Sequence, residues 1–282
     1  MKVSGRDVAD AILKKLERQI KKNHLQPSLA IILANNNPAS KLYVDNKIKA
    51  AEKIGILANV YKFSEAEGKE CKVAIDWLNK DPMINGIIVQ YPVFKSWNFD
   101  EYENSIIPQK DVDGFLENSP YSGATALAIW EMLTAYAYLE GYKKTEDFLK
   151  NKKIVVVGKG KTAGGPTIKL LEKKGFKPQV VVKDTPDSDK IIKSGDVVIG
   201  ATGVKNILNK SNLKVGVYVI GVGMGKEKID GKDKIYGDLN LEDAEKVAKL
   251  YCPTIGGIGP LTIVSLLKNT IKSAQMTSSD KL

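Results

Sequence analysis

Short apolar runs and amphipathic stretches alternate along the first half of this sequence. Residues 28–34 (SLAIILA), 57–63 (LANVYKF) and 85–90 (NGIIVQ) have the apolar, β-branched content of strands, whereas residues 40–54 and 69–79 return their apolar side chains at helical spacing. A helix over residues 5–22 precedes them. The succession is βαβαβ, which sets parallel strands in one sheet and covers them with helices. Residues 124–139 are apolar and helical, and the polar segment GYKKTEDFLKNKK that follows leads into a new strand, which places a domain boundary there.

The second half opens on KIVVVGKGKTAGGPTIKLLEKKG, a buried strand, a glycine-rich turn and a helix. Strands follow at residues 179–182, 196–200 and 217–220 with short helices between some of them, the plan of a small Rossmann-like unit. After Tyr251 a Gly/Pro loop leads to a helix starting near Pro260, and the final MTSSDKL reads as a frayed end. The predicted class is α/β with two domains.

Composition narrows the function classes. With 43% hydrophobic and 27% charged residues over 282 positions the chain is an ordinary globular one, and no apolar run approaches the roughly 20 residues of a bilayer span. The opening MKVSGRDVADAILKK carries acids at helical spacing where a secretory signal has an unbroken apolar stretch, so a cytoplasmic protein with no membrane partner is expected. Cys71 and Cys252 are too few for a zinc cluster, and a reducing compartment argues against joining them. The single histidine, His24, excludes a His-rich metal site and lies in no Ser-nucleophile context, so neither a metal nor a histidine triad is expected. A net charge of +10 would fit a polyanion binder, but only Arg6 and Arg18 are arginine; the other 41 of 43 basic residues are lysines spread among 33 acids. That is the pattern of solvated helix faces, which argues against nucleic acid and leaves small anionic ligands.

Several segments carry candidate chemistry. The turn Gly158, Lys159, Gly160, Lys161, Thr162, Ala163, Gly164 has GxGxxxG spacing between a strand and an amphipathic helix. Glycines there let backbone N–H groups approach a pyrophosphate, and the helix N-terminus behind them favours negative charge, so a dinucleotide is the expected ligand. Twenty residues past Gly164 the next strand ends at Lys183, Asp184 and Thr185. An acid there holds a ribose diol and selects NAD, whereas Lys159, Lys161 and Lys183 on the same spot suit a 2′-phosphate. Tyr43 and Lys47 lie four apart on one helix face. A lysine packed among apolar groups loses charge stabilisation and becomes a proton acceptor near neutral pH; one on a wet face does not. Gln90 closes a strand at its carboxyl end, where open parallel sheets bind ligands, or else satisfies loop backbone. In PQKDVDGF, Asp111 and Asp113 stand beside Gly114, with capping of a turn as the alternative to binding.

Taken in order, NPASKLYVDNKIKAAEKIGI, GIIVQYP, PQKDVDGF, VVVGKGKTAGGP, GDVVIGATG and GGIGPLTIVSLLKNT give the chain a resemblance to the bifunctional methylenetetrahydrofolate dehydrogenase/cyclohydrolase (FolD) family, spread over nearly its whole length. The resemblance implies a folate domain of residues 1–139 plus 258–282, with the C-terminal helix returning to it, and a nucleotide domain of residues 140–257. It implies that Lys47 is the catalytic lysine, Tyr43 its hydrogen-bonding partner beside the substrate, Gln90 the amide that tunes the lysine, and Asp113 the carboxylate that grips the pterin, with Asp111 structural. Gly256, Gly257, Ile258 and Pro260 resemble the family's glycine loop near folate and nicotinamide. Cofactor contacts fall to Gly158, Lys159, Gly160, Lys161, Thr162 and Gly164, to Lys183, Asp184 and Thr185, and to Thr202 and Gly203 of GDVVIGATG. The implied activity is oxidation of 5,10-methylenetetrahydrofolate with NADP, NAD being the second choice, followed by hydrolysis of the methenyl product to 10-formyltetrahydrofolate, in a homodimer.

The chain departs from the family in places. Lys159 and Gly160 stand where the family has Arg-Ser, and Thr185 stands in place of a serine. Gly123, Ala124, Thr125 and Ala126 replace a Pro-Cys-Thr-Pro segment after a short loop, and Ile255 replaces a proline. Two other readings share parts of this pattern: a shikimate-type NADP-dependent dehydrogenase, with similar length, plan and lysine, and a non-enzymatic nucleotide- or polyanion-binding protein. KDVDGF and GGIGP favour folate.

Overall fold

The computed structural model describes residues 1–229 and 231–279. In chain order the elements are α1 (Gly5–Lys22), β1 (Ser28–Leu33), α2 (Pro38–Lys53), β2 (Leu57–Lys62), α3 (Gly68–Lys80), β3 (Gly86–Val89), α4 (Phe99–Glu103), a 3-10 turn (Pro108–Lys110), α5 (Ala124–Leu139) and α6 (Thr145–Leu149). There follow β4 (Ile154–Val157), α7 (Gly164–Lys173), β5 (Gln179–Val181), α8 (Ser188–Ser194), β6 (Val197–Gly200), β7 (Val217–Gly221), β8 (Met224–Ile229), β9 (Lys232–Gly237), α9 (Leu241–Val247), β10 (Ala248–Cys252) and α10 (Ile258–Ser279). They fall into two compact units, one of Asp10–Ala124 with the chain from Ile263 onward, the other of Met1–Ala9 with Thr125–Thr262.

The first unit is built on a parallel sheet of order β2-β1-β3. All six residues of β1 are buried, because helices cover both faces of its sheet; that is why SLAIIL reads as one apolar run rather than an alternation. The edge strand β2 is half exposed. Between β1 and β2, α2 starts where Asn37 accepts the Ala39 amide through its side chain at 2.9 Å, with Pro38 in the first turn. Its buried stripe is Ser40, Val44, Lys47 and Ala51, a helical spacing that turns one lysine toward the core. The last helix belongs to this unit as expected. Asn269 Nδ2 donates to the carbonyls of Val112 at 2.8 Å and Ser122 at 3.1 Å, and the Ser273 hydroxyl donates to the Asn85 carbonyl at 2.6 Å.

The second unit holds a five-stranded parallel sheet of order β10-β7-β6-β4-β5. Its chain runs outward from β4 to β5 and then crosses back to β6, so the direction of winding reverses between β4 and β6. Open α/β sheets bind ligands at the carboxyl ends of strands at such a reversal. Under the sheet, the Tyr136 hydroxyl of α5 donates to the Val219 carbonyl at 2.9 Å, which satisfies the polar tip of a fully buried ring.

Several features differ from the sequence reading. β10 and the antiparallel ribbon of β8 and β9 were not anticipated: the ribbon's charges and exposed apolar residues hide its alternation, and AKLYC is short. α10 starts at Ile258 and continues to Ser279, so residues 276–279 of the expected frayed end are helical, while residues 280–282 lie outside the described residues.

Candidate active site

Lys47 is 4% exposed although it is the most water-seeking type of side chain. Its Nζ donates to Gln90 Oε1 at 2.9 Å and lies 4.9 Å from the centre of the Tyr43 ring, which sits one turn earlier on α2. Gln90 follows β3 directly. Its backbone N–H donates to the Ile32 carbonyl at 2.9 Å, and its side-chain nitrogen to the Tyr91 carbonyl at 2.7 Å, so with Lys47 on Oε1 both ends of the side-chain amide are fixed. Burial pulls the Lys47 amine below the usual lysine range, and the Asp113 carboxylate partly pulls it back. The neutral amine is thereby favoured more than in an ordinary lysine, and a neutral acceptor and an aromatic face orient it.

Asp111 and Asp113 have separate roles. The buried Asp111 accepts the Gly114 amide at 3.0 Å and the Leu116 amide at 2.9 Å, one on each carboxylate oxygen, and its own backbone bridges to Ile87 of β3. It pins the loop. Asp113, on that loop, is only partly buried, and its carbonyl accepts the Ala124 amide at 3.0 Å. Burial pushes the Asp113 carboxyl up; Lys47 works against that shift and Asp111 adds to it. A carboxyl poised this way is drawn toward its ionised form by a ligand that brings N–H donors.

At the winding reversal of the second sheet, the turn after β4 presses on the loop after β6. Gly158 has φ of +101°, and a Cβ there would fall 2.4 Å from the Ala201 carbonyl oxygen; a Cβ on Gly164 would fall 2.2 Å from that of Gly158. Only glycine closes this turn. Gly160, by contrast, has open space where a Cβ would stand, so its backbone is bare toward an incoming ligand. Lys159, Lys161 and Thr162 are exposed around it, and α7 starts at Gly164 behind it. These features fit the pyrophosphate of a dinucleotide. Past β5, Lys183 and Asp184 are exposed, and Thr185 Oγ1 accepts the Val182 amide at 2.8 Å, which leaves its proton to donate.

Asp238 was not singled out from the sequence. It is completely buried just past β9, and its two oxygens accept the Thr202 hydroxyl at 2.8 Å and the amides of Thr202, Gly203 and Gly223 at 3.0, 2.7 and 2.8 Å. One acid between Gly237 and Leu239 in an apolar context is the only local signal. The Thr202 hydroxyl also accepts the Val204 amide at 3.1 Å, so both of its functions are used inside the loop.

Tyr43, Lys47, Gln90 and Asp113 thus share the first unit, and Lys47 joins three of them by contact or charge. The nucleotide turn, Lys183–Thr185, Thr202 and Gly203 share the second, as do Gly256, Gly257, Ile258 and Pro260 at the start of α10. Gly256 has φ of +75°, and a Cβ on Gly257 would fall 1.8 Å from the Pro253 carbonyl oxygen, so that loop too is closed by glycine. Both cysteine thiols are pushed up to about 12 by burial. Among the described residues no three His, Cys, Asp or Glu side chains gather as a metal ion would need, and no helix is long and apolar enough to cross a membrane.

Comparison with known proteins bears on both halves. The family model for the tetrahydrofolate dehydrogenase/cyclohydrolase catalytic domain matches residues 3–113, and the model for the NAD(P)-binding domain of the same family matches residues 124–278. The bifunctional protein FolD of Dichelobacter nodosus is 33% identical over 97% of this chain and 96% of its own length. The crystal structure of the bifunctional 5,10-methylenetetrahydrofolate dehydrogenase/cyclohydrolase from Thermoplasma acidophilum superposes with a TM-score of 0.86 at 28% identity, covering 99% of this chain and 100% of that one. The Trypanosoma brucei FolD complexed with NADP and an inhibitor gives a TM-score of 0.87 at 27% identity over 99% and 98% of the two chains.

Proposed function

Because this chain belongs to the tetrahydrofolate dehydrogenase/cyclohydrolase family, we infer that it carries both activities of that family. It oxidises 5,10-methylenetetrahydrofolate to the 5,10-methenyl form with NADP and hydrolyses that product to 10-formyltetrahydrofolate. Neither the shikimate-type dehydrogenase reading nor the non-enzymatic one is supported by these matches.

The observation that carries the site assignment is the buried Lys47 amine on Gln90. NADP, when bound, supplies the hydride acceptor of the first reaction. The chain's part in that step is alignment. Asp113 grips the pterin through its exocyclic amine and ring N–H, a pair of charge-assisted bonds that sets the register of the reacting carbon. The Gly158 turn and α7 would hold the pyrophosphate, and Lys159, Lys161, Lys183 and Thr185 would hold the 2′-phosphate. The family resemblance also assigns Gly256, Gly257, Ile258 and Pro260 to ligand binding.

Hydrolysis makes a different demand. Water adds to the electrophilic methenyl carbon while Lys47 takes one of its protons; the carbon–N5 bond then breaks as the added hydroxyl becomes the formyl carbonyl and its proton passes to N5, the formyl group stays on N10, and the proton on Lys47 is released to solvent. Tyr43 and Gln90 keep the amine aimed, and burial favours its neutral form. An absorbance assay with methylenetetrahydrofolate and, separately, NADP and NAD tests reaction and cofactor together; no turnover with either refutes the function.

The protein further acts in the cytoplasm as a homodimer formed through the nucleotide unit, a reading supported by the family resemblance. Light scattering should return about twice the 30.9 kDa chain mass, and a monomer mass contradicts it.

A further inference from the structure

Four hydrogen bonds converge on the Asp238 carboxylate from two loops that leave the carboxyl ends of neighbouring strands, Ala201–Val204 after β6 and Val222–Gly223 after β7. We propose that Asp238 is a positioning residue for the dinucleotide: through Thr202 and Gly203 it fixes the β6 loop against the Gly158 turn, holding the phosphate-facing backbone in its bound form before the ligand arrives. This rests on the reading of the second unit as the NADP site.

Sheet cohesion does not require these bonds. The β6–β7 ladder already runs from Val197 opposite Tyr218 to Gly200 opposite Gly221, and the carboxylate acts beyond its end. The surroundings are cleared for it. A Cβ on Gly223 would fall 2.3 Å from Asp238 Oδ2 and 2.3 Å from the Gly203 nitrogen, and Gly203 itself has φ of +74°. Glycine-rich backbone of this kind would be loose without an anchor, and a fully buried carboxylate would be costly without donors; each offsets the other. The anchored loop in turn backs the nucleotide turn. A Cβ on Gly158 would meet the Ala201 carbonyl oxygen at 2.4 Å and Thr202 Cγ2 at 3.0 Å, so a shift of residues 201–202 shifts the surface on which the pyrophosphate turn rests.

Thr202 consequently serves the cofactor by holding loop shape, since its hydroxyl donates to Asp238 and accepts from Val204. Order supplied in advance lowers the entropy lost on binding, and the effect is read as affinity rather than as chemistry.

The test uses the full chain, wild type beside Asp238→Asn and Thr202→Val. Asn keeps the size of the side chain but turns a donor toward amides that need an acceptor; Val keeps the shape of Thr202 and removes its donor. Calorimetry should show the NADP Kd raised about tenfold by Asp238→Asn and roughly threefold by Thr202→Val, with the dehydrogenase KM for NADP following and kcat at saturating NADP within about twofold of wild type. Methenyl hydrolysis, which uses no dinucleotide, should be unchanged in Asp238→Asn, and the melting temperature reports the fold of both variants. Unchanged NADP affinity with a lowered melting temperature makes Asp238 a stability residue and overturns the proposal, as does parallel loss of both activities. If Asp238→Asn does not fold, Thr202→Val decides alone, and unaltered affinity overturns the idea. A wild-type protein that binds no NADP refutes the reading of the unit and this inference with it, whereas tight wild-type binding with unaffected variants refutes only the inference.

Discussion

Lys47 Nζ and Gln90 Oε1 stand 2.9 Å apart between two buried side chains, an amine paired with a neutral acceptor rather than with a carboxylate. A charge at that acceptor would change the chemistry. Gln90→Glu keeps the shape and adds a negative charge that favours the ammonium, so the lysine's proton affinity rises and less neutral amine is present at pH 7. The acidic, rising limb of the hydrolysis pH profile, set below the ordinary lysine range in the wild type, should move to higher pH, with dehydrogenase activity affected less. A limb that stays in place or moves down contradicts this.

Burial of Lys47 also bears on stability. An ionised Lys47 is penalised in the native protein but not in the unfolded chain, where lysine titrates near about 10.4. Its native proton affinity is lowered, so the native state binds fewer protons and the penalty grows as pH falls through the unfolded value. The Tm difference of Lys47→Met over wild type should therefore be more positive at pH 7 than at pH 10. Thermal denaturation at both values checks the sign, and a larger difference at pH 10 contradicts it.

The two acids of KDVDGF should separate cleanly. Asp111→Asn turns a donor toward the Gly114 or Leu116 amide, which should cost on the order of 1–3 kcal/mol of stability. Asp113→Ala should leave the fold intact, raise the folate KM and lower both activities, because register is lost for each. Denaturant melts together with both assays decide it. The reverse pattern would exchange the two roles.

Preference for NADP over NAD should depend on the basic residues around the turn. Lys159→Glu is expected to lower kcat/KM with NADP far more than with NAD, because the exposed lysine loses its interaction only where a 2′-phosphate is present. Equal losses would place Lys159 away from that phosphate, and wild-type efficiency with NAD matching that with NADP would show Asp184 acting as the diol acceptor.

Much of the architecture is legible along the chain because it is local. β1 announces itself by six consecutive buried residues, and α2 by the stripe Ser40, Val44, Lys47, Ala51. The glycines of the nucleotide turn are legible as well, since Gly158 and Gly164 close a turn no other residue fits. What escapes the sequence is contact across distance. Lys47 reads like any of 41 lysines until Gln90, 43 residues away, is seen against it. Asp238 gathers donors from positions 15, 35 and 36 residues earlier, mostly backbone amides that carry no sequence signature. The β8–β9 ribbon is hidden because it buries too little to show an apolar period.

In the proposed function, one buried lysine serves the hydrolysis and is not the chemical agent of the hydride step. Lys47→Met, assayed for methylenetetrahydrofolate oxidation and for methenyl hydrolysis after subtraction of the spontaneous rate, separates the two roles. The expected result is hydrolysis reduced by roughly 10²–10⁴-fold with a measurable, weakened dehydrogenase remaining. Near wild-type hydrolysis by the folded variant contradicts the claim outright, and equal loss of both activities would reduce Lys47 to a residue that positions the substrate.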